Sequence, residues 1–307
     1  MAAREVRRAL AEEVRIISWE NPEYPRILQA FDSMPVVLYL RGILPPCVGG
    51  EEPPLGFSAG VVGSRRPSAY GVRQTRRFAE GLAKRGINVV SGLAVGIDGE
   101  AHSAALDAGG TTIAVLGSGL LRLYPREHRG LARRIWAEGR GALVTQFPLD
   151  APPRDFHFPM RNQILSGLSH AVLVVEAGER SGSLITVRHA LEQGRNVYVV
   201  PGRIGPESLG CLRLLVEGAT PVLGPEDVLP GVGREIPASD TPTPLGGPFG
   251  SLLEALFEEE DAWHPDRVAE RLQVSPSEIL AELSRLELKG SLERRPGGAY
   301  VRRFTCR

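Results

Sequence analysis

The sequence predicts an α/β protein: a doubly wound parallel sheet, followed by a small helical domain closed by a β-hairpin. Three observations carry this. Apolar runs alternate with helical periods from residue 55 to residue 223, a Pro- and Gly-rich stretch follows, and three further helical patterns end in a glycine turn. The first strand, Phe57–Val62, runs into Gly63-Ser64-Arg65-Arg66-Pro67 and a helix near Val72–Arg85. Asn88–Val90 then leads through Ser91-Gly92-Leu93-Ala94 to a helix near Asp98–Ala108. Thr111–Leu116 leads through Gly117-Ser118-Gly119 to a helix near Glu127–Glu138. Gly141–Thr145 is a short strand, Phe147–Pro159 a Pro-rich loop, and Arg161–Ser166 a helix. Ala171–Val175 precedes Glu176–Ser183 and a helix ending at Gln193-Gly194, and Asn196–Val200 ends in Pro201-Gly202. Right-handed βα crossovers make such a sheet parallel, covered on both faces and Rossmann-like.

Ahead of this region, residues 1–54 form a lead-in segment: a short helical start, then Val36–Leu40 as a strand, broken by Pro45-Pro46 and Glu51-Glu52-Pro53-Pro54. Behind it, residues 224–250 have a linker composition, with 6 Pro and 6 Gly among them. Residues 251–307 then show helical patterns at Leu252–Phe257, Pro265–Leu272 and Pro276–Lys289, and a hairpin around Pro296-Gly297-Gly298. That is the outline of a winged-helix-like domain.

A length of 307 residues suits two or three domains at about 150 residues each. With 42% hydrophobic and 23% charged residues, global disorder is excluded. No run of about 18 apolar residues predicts a transmembrane helix, and the start MAAREVRRALAEEV is too charged for a signal peptide. Cys47, Cys211 and Cys306 form no CxxC pair, so neither a disulfide framework nor a cysteine metal site is expected. A reducing cytoplasm fits that usage.

The overall neutral charge conceals an asymmetry. Residues 55–223 carry 20 Arg and Lys against 13 Asp and Glu, a local +7, whereas residues 251–307 lean acidic. A polyanionic partner is therefore expected on the middle of the chain. In an open α/β sheet, ligands bind beyond the carboxyl ends of the strands. Four such ends stand out: Gly63-Ser64-Arg65-Arg66, Ser91-Gly92, Gly117-Ser118-Gly119 and Arg180-Ser181-Gly182-Ser183. Each offers small residues and backbone N–H groups suited to phosphate. A glycine also simply makes a tight turn, but four such turns in one basic segment favour phosphate binding.

Nucleotide-cofactor motifs fit poorly. Gly117-Ser118-Gly119-Leu120-Leu121-Arg122 lacks the third glycine of GxGxxG, and GxxxxGK[ST], HExxH and GxSxG do not occur. Asp98 and His102 stand four apart on a helix; they suit a base and its orienter, or a helix cap and a satisfied core histidine. Phe156 and Phe158, with Arg154 and Arg161, suit the stacking of single-stranded bases or a loop plugged into the core, and spacing leaves both open. The last helix carries Glu278, Glu282 and Glu287 with only Arg285 and Lys289, a poor match for a DNA groove. Arg294, Arg295, Arg302 and Arg303 on the hairpin are candidates for accessory duplex contacts; a protein-interaction role stands beside that.

Val61-Val62-Gly63-Ser64-Arg65, the run Val90–Asp98, Ala101-His102, Tyr124-Pro125, Phe158-Pro159-Met160-Arg161-Asn162 and Ser181–Thr186 together resemble the bacterial DNA-processing family DprA, also called Smf, in order from about Trp19 to Leu223. The resemblance implies a Rossmann-like domain that binds single-stranded DNA entering during natural transformation, protects it, and helps load the recombinase RecA. It implies a homodimer through that domain and no nucleotide cofactor. It places a DNA contact on Arg65, a second basic contact on Arg126 or Arg129, and the family's Arg-Asn pair on Arg161 and Asn162. With the turns, the expected DNA-binding set is completed by Gly63, Ser64, Arg66, Gly92, Gly117, Ser118, Gly119, Phe158, Ser181, Gly182 and Ser183. Three departures stand out: Gln163 replaces a frequent arginine, Gly210-Cys211-Leu212 replaces a polar loop, and the N-terminal SAM-like domain is missing or reduced to a remnant in residues 1–18. The reading is a mediator rather than an enzyme. Its rivals are a nucleotide-processing enzyme using Glu176 with Arg180 or Asp98 with His102, and a nucleotide sensor.

Overall fold

The computed structural model describes residues 2–45 and 57–228, and further on 249, 252–253, 256, 262–288, 292–294 and 298–302. The chain divides into two compact units, Met1–Val232 and Gly233–Arg307. In the first, the elements run α1 (Ala2–Ala11), β1 (Arg15–Ser18), α2 (Arg26–Gln29), β2 (Val37–Gly42), β3 (Ser58–Val62), α3 (Ala69–Lys84), β4 (Asn88–Ser91) and α4 (Ile97–Asp107). They continue with β5 (Thr112–Val115), α5 (Arg129–Ala137), β6 (Gly141–Thr145), α6 (His157–Gly167), β7 (Ala171–Val174), α7 (Ser183–Glu192), β8 (Asn196–Val199), α8 (Leu209–Val216) and β9 (Thr220–Pro221).

The nine strands form one sheet in the order β1-β2-β6-β5-β4-β3-β7-β8-β9. From β6 to β9 every pairing is parallel, as the βα rhythm predicts. The lead-in segment adds an antiparallel pair: β1 on β2, and β2 on β6 with Tyr39 opposite Thr145. The sheet is therefore mixed, though mostly parallel. Chain direction along the sheet reverses at β3, which has β4 on one side and β7 on the other. That reversal is the topological switch point, and it opens a crevice at the strand ends.

Side chains alternate across the strands with period two, and each face buries its own set. Ala59, Val61, Leu173 and Val175 pack with Phe78, Leu82 and Ile97 from α3 and α4. Val62, Val172 and Val174 pack on the other face with Ile164, Leu165 and Val187 from α6 and α7. A third cluster joins Ala132 and Ile135 of α5 to Leu116, Leu143 and Leu149, with Ala9 of α1.

Two helix starts fix the site. Ser68 caps α3 by accepting the Gly71 N–H at 3.1 Å. α4 begins from Gly96 at φ +87, where an added Cβ would overlap the Ser64 carbonyl. Only glycine allows that approach, and the Ile97 N–H donates to the Ser64 carbonyl at 3.1 Å. α6 starts at His157, earlier than the predicted Arg161, so His157 and Phe158 belong to the helix and not to the Pro-rich loop. Pro159 is its third residue, where a missing N–H removes no helical hydrogen bond. β1, α8 and β9 carry no predicted counterpart.

In the second unit, β10 (Ala262–Trp263), α9 (Pro265–Leu272), α10 (Pro276–Leu288), β11 (Leu292–Arg294) and β12 (Tyr300–Arg302) follow in order. Its sheet runs β10-β12-β11. Trp263, Val268, Ile279, Leu283, Leu292 and Tyr300 are among the buried residues of its own core. α10 opens with a reciprocal cap: Ser275 Oγ accepts the Glu278 N–H and the Glu278 carboxylate accepts the Ser275 N–H, each at 3.3 Å. The two helices and three short strands are a winged-helix domain. Half of the helix predicted at 252–257, residues 254, 255 and 257, lies outside the described residues.

Gly96→Ala tests the α4 start. The strained backbone and the overlap with Ser64 should cost about 1–3 kcal/mol. Urea unfolding should show a lower midpoint with an unchanged m value.

Candidate nucleic-acid interface

A cleft of about 1350 Å³ opens at the switch point. Gly63, Ser64, Arg65 and Arg66 from the end of β3 form one wall, Phe158, Arg161 and Asn162 from α6 another, and Arg180, Ser181, Gly182 and Ser183 after β7 a third. A smaller cleft of about 290 Å³ adjoins it, lined by Gly92, Gly117, Tyr124 and Arg126, and by Arg65, Phe158 and Arg161, which line both. The Arg65 guanidinium carbon stands 5.4 Å from the centre of the Phe158 ring, between the two. The Tyr124 and Phe158 rings lie 5.9 Å apart.

The four turns differ in what they leave free. After β3, the Ser64 N–H donates to the Glu176 carbonyl at 2.7 Å and the Arg66 N–H to Ser64 Oγ at 3.0 Å. After β4, the Gly92 and Ala94 N–H groups donate to the Asp98 carboxylate at 3.1 and 3.4 Å. After β5, the Gly119 N–H donates to the Ala151 carbonyl at 2.9 Å, and a Cβ there would overlap the carbonyls of Pro148 and Leu149. Ser118 is buried, and neither Ser118 nor Gly119 lines a cleft. These three turns therefore do not present the free amide cradles that the sequence suggested, because the protein's own acceptors take the amides named. In the turn after β7, too, the Ser181 N–H donates to the Gly178 carbonyl at 3.1 Å and the Ser183 N–H to Ser181 Oγ at 3.4 Å, but the turn is open. Gly182 faces open space, α7 starts there without a side-chain cap, and Ser181 Oγ and Ser183 Oγ share a hydrogen bond at 2.7 Å.

Arg161 lies beneath the surface at 4% exposure, not on it. Its guanidinium donates to the carbonyls of Gly92 and Val115, and its Nε donates to Asn162 Oδ1 at 3.1 Å. Burial lowers its pKa to about 10, against the opposing pull of the Asp98 charge. A Cβ on Gly92 would overlap that guanidinium, so this glycine makes room for the arginine. Arg161 thus floors both clefts, while Arg65, Arg66, Arg126 and Arg180 are exposed at their rims and form no ion pair among the described residues. Arg129, the first residue of α5, is exposed but lines neither cleft.

The pairs weighed for catalysis are committed elsewhere. Both Glu176 oxygens accept from Ser68, one from its N–H at 2.8 Å and one from its hydroxyl. Asp98 and His102 do not bond each other: Asp98 holds the β4 turn, and His102 Nδ1 bonds Thr112 Oγ1 at 2.6 Å. Burial raises the Asp98 pKa above the ordinary carboxylate range and lowers that of His102 to about 3.

Sequence reasoning left Tyr124 and Arg180 out of the site set, although both stood inside motifs it used. It missed the stretch 204–207 and Leu209, which close one side of the large cleft at the start of the unpredicted α8. Gln163 donates to Ser33 Oγ at 2.7 Å, towards the lead-in segment. Gly210 and Cys211 donate their N–H groups to the Ala177 carbonyl at 2.9 and 3.2 Å, and Cys211 is buried. Arg294 and Arg302 stand opposite Tyr300 and Leu292 in the wing, and Arg295 and Arg303 lie outside the described residues.

Residues 15–233 match the family model of DNA recombination-mediator protein A, and residues 236–298 match the DprA winged helix domain. The chain is 44% identical to protein Smf of Escherichia coli, over 94% of this chain and 77% of that protein. It is 38% identical to DNA processing protein DprA of Bacillus subtilis, over 70% of each. The structure resembles that of DNA processing protein A from Streptococcus pneumoniae with a TM-score of 0.64, at 38% identity over 72% of this chain and 76% of that one. It also resembles DNA processing protein A from Helicobacter pylori, whose structure is described for its single-stranded DNA binding mode, with a TM-score of 0.59, at 26% identity over 69% of this chain and 93% of that one.

His102 makes stability depend on pH. Its folded pKa lies below its ordinary value of 6.5, so between pH 6.5 and about 3 the unfolded chain binds a proton that the folded chain refuses. Its contribution is complete above pH 6.5 and falls by about 1.4 kcal/mol per pH unit on acidification through that window. Urea midpoints across pH for the wild type and His102→Gln should diverge at neutral pH and converge towards acid.

Proposed function

Since the chain belongs to the DNA recombination-mediator protein A family, we propose that it binds single-stranded DNA without regard to base sequence, and does so at the switch-point cleft. One observation carries this reading: Arg65, Arg66 and Arg180 converge on one cleft, exposed and without a carboxylate partner among the described residues, beside the aromatic faces of Tyr124 and Phe158. Unpaired arginines suit phosphates, and aromatic faces accept any base. The single-stranded DNA binding ascribed to the Helicobacter pylori relative supports it.

In this reading the protein acts in the cytoplasm, protects incoming strands during natural transformation and helps load RecA on them, as a homodimer through the Rossmann-like domain. It works as a mediator and not as an enzyme, and uses no nucleotide cofactor. The commitment of Glu176, Asp98 and His102 to backbone and hydroxyl partners supports that over a nucleotide-processing role. Among the described residues no helix is long and apolar enough to cross a membrane. The winged-helix unit adds duplex contacts through the phosphates facing Arg294, Arg295, Arg302 and Arg303.

Arg65→Glu tests the site. Single-strand affinity should fall, and the slope of log K against log salt should drop by about 0.7 for each lost phosphate contact. A folded variant with unchanged binding would remove the cleft from the function. Incubation with nucleoside monophosphates should release no base, and light scattering should show a dimer at micromolar concentration. Truncation after Val232 should keep most single-strand affinity and lose proportionally more duplex affinity, because the duplex depends on a second, linked site.

A further inference from the structure

α5 and the short turn before it carry arginines with opposite fates. Arg134 is neutralised twice, by Asp107 at 3.0 Å and by Glu138 at 3.3 Å. Arg126, Arg129 and Arg133 are exposed and form no ion pair among the described residues. Arg126 lies in the short 3-10 turn Arg126–His128, which runs directly into α5. At about 120° per residue in the 3-10 turn and about 100° in α5 the three fall within about 60° of one another, so they make one stripe about 10 Å long. Glu127, the acidic residue within this stretch, points about 120° away from Arg126. Gly130 lies beside the stripe on the helical wheel, and a Cβ there would meet nothing within 4 Å.

The stripe has a fixed relation to the cleft. Arg126 lines the smaller cleft, and His128 Nδ1 bonds the Leu93 carbonyl at 2.9 Å, which ties the start of α5 to the turn after β4. Gly99 leaves the space that the His128 ring fills. An unpaired cationic row that begins in a cleft and leads out of it suits a polyanion too long for the cleft.

We infer that the outer face of α5 is a phosphate track that continues the smaller cleft, with Arg133 as its far contact, and that it holds the backbone of single-stranded DNA outside the base-accepting region. This rests on the single-strand reading above. The track predicts a dependence on strand length that the cleft alone does not.

The test compares oligothymidylates of about 4 and about 16 nucleotides, which bracket the usual site sizes of single-strand binders. Arg133→Glu should leave the short strand's affinity within about twofold, weaken the long strand about tenfold at low salt, and lower the long strand's salt slope by about 0.7. Arg133→Lys should restore the long-strand affinity. Arg133→Gln, which adds no repulsion, should weaken the long strand less, and melting curves of all three should match the wild type. Arg65→Glu should weaken both lengths. If Arg65→Glu has no effect on either, the cleft reading fails. If Arg65→Glu weakens both while Arg133→Glu leaves the long strand unchanged, the track is overturned. Equal weakening of both lengths by Arg133→Glu overturns it too.

Discussion

The buried guanidinium of Arg161 is the interaction on which the site depends. It bonds the carbonyls at the ends of β4 and β5 from a helix on the opposite side of the crevice, and so joins α6 to the sheet. A buried cation costs far more than it returns unless it is paired and hydrogen-bonded. Here Asp98 supplies the opposite charge, and that carboxylate in turn holds the β4 turn through Gly92 and Ala94. Helix α6, the β4 turn and the start of α4 therefore form one unit. Phe158, three residues before Arg161, takes its place over Gly117 as a consequence, and Arg65 lies against that ring.

The interface divides labour among residues of like chemistry. Arg161 gives up contact with solvent to set the geometry, while Arg65, Arg66 and Arg180 stay exposed and form no ion pair among the described residues. The serines and glycines divide in the same way. Gly92, Gly96 and Gly119 are there because neighbouring atoms occupy the space of a side chain, whereas Gly182 faces open space. A lost packing glycine should be felt in stability, and a change at an open one in binding.

Much of this was legible in the sequence. The parallel strands ended within a residue or two of their predicted limits, because buried β-runs closed by glycine have few other readings. The cleft's position followed from strand-end chemistry and topology. Three things were hidden for physical reasons. Pro159 disguised the start of α6, since a proline in a first helical turn looks like a loop. β1 and β9 are too short to show alternation, and they exist because neighbouring strands offer hydrogen bonds. The partners of amides were also unreadable. Whether the Gly119 N–H meets a phosphate or the Ala151 carbonyl depends on a loop more than thirty residues further along the chain. The burial of Arg161 was hidden for the same reason, because its partners are backbone atoms.

The two borders of the nine-stranded sheet are closed in different ways. At one, β1 is four residues long and carries Arg15, bonded to Glu23 at 2.9 Å; at the other, β9 has only two residues, one of them Pro221, which has no N–H to offer. Short, charged or proline-bearing borders resist the addition of another strand. Extension of this sheet from molecule to molecule is therefore disfavoured. Helical surfaces offer no row of open backbone groups, so a contact made through them carries no risk of fibre growth.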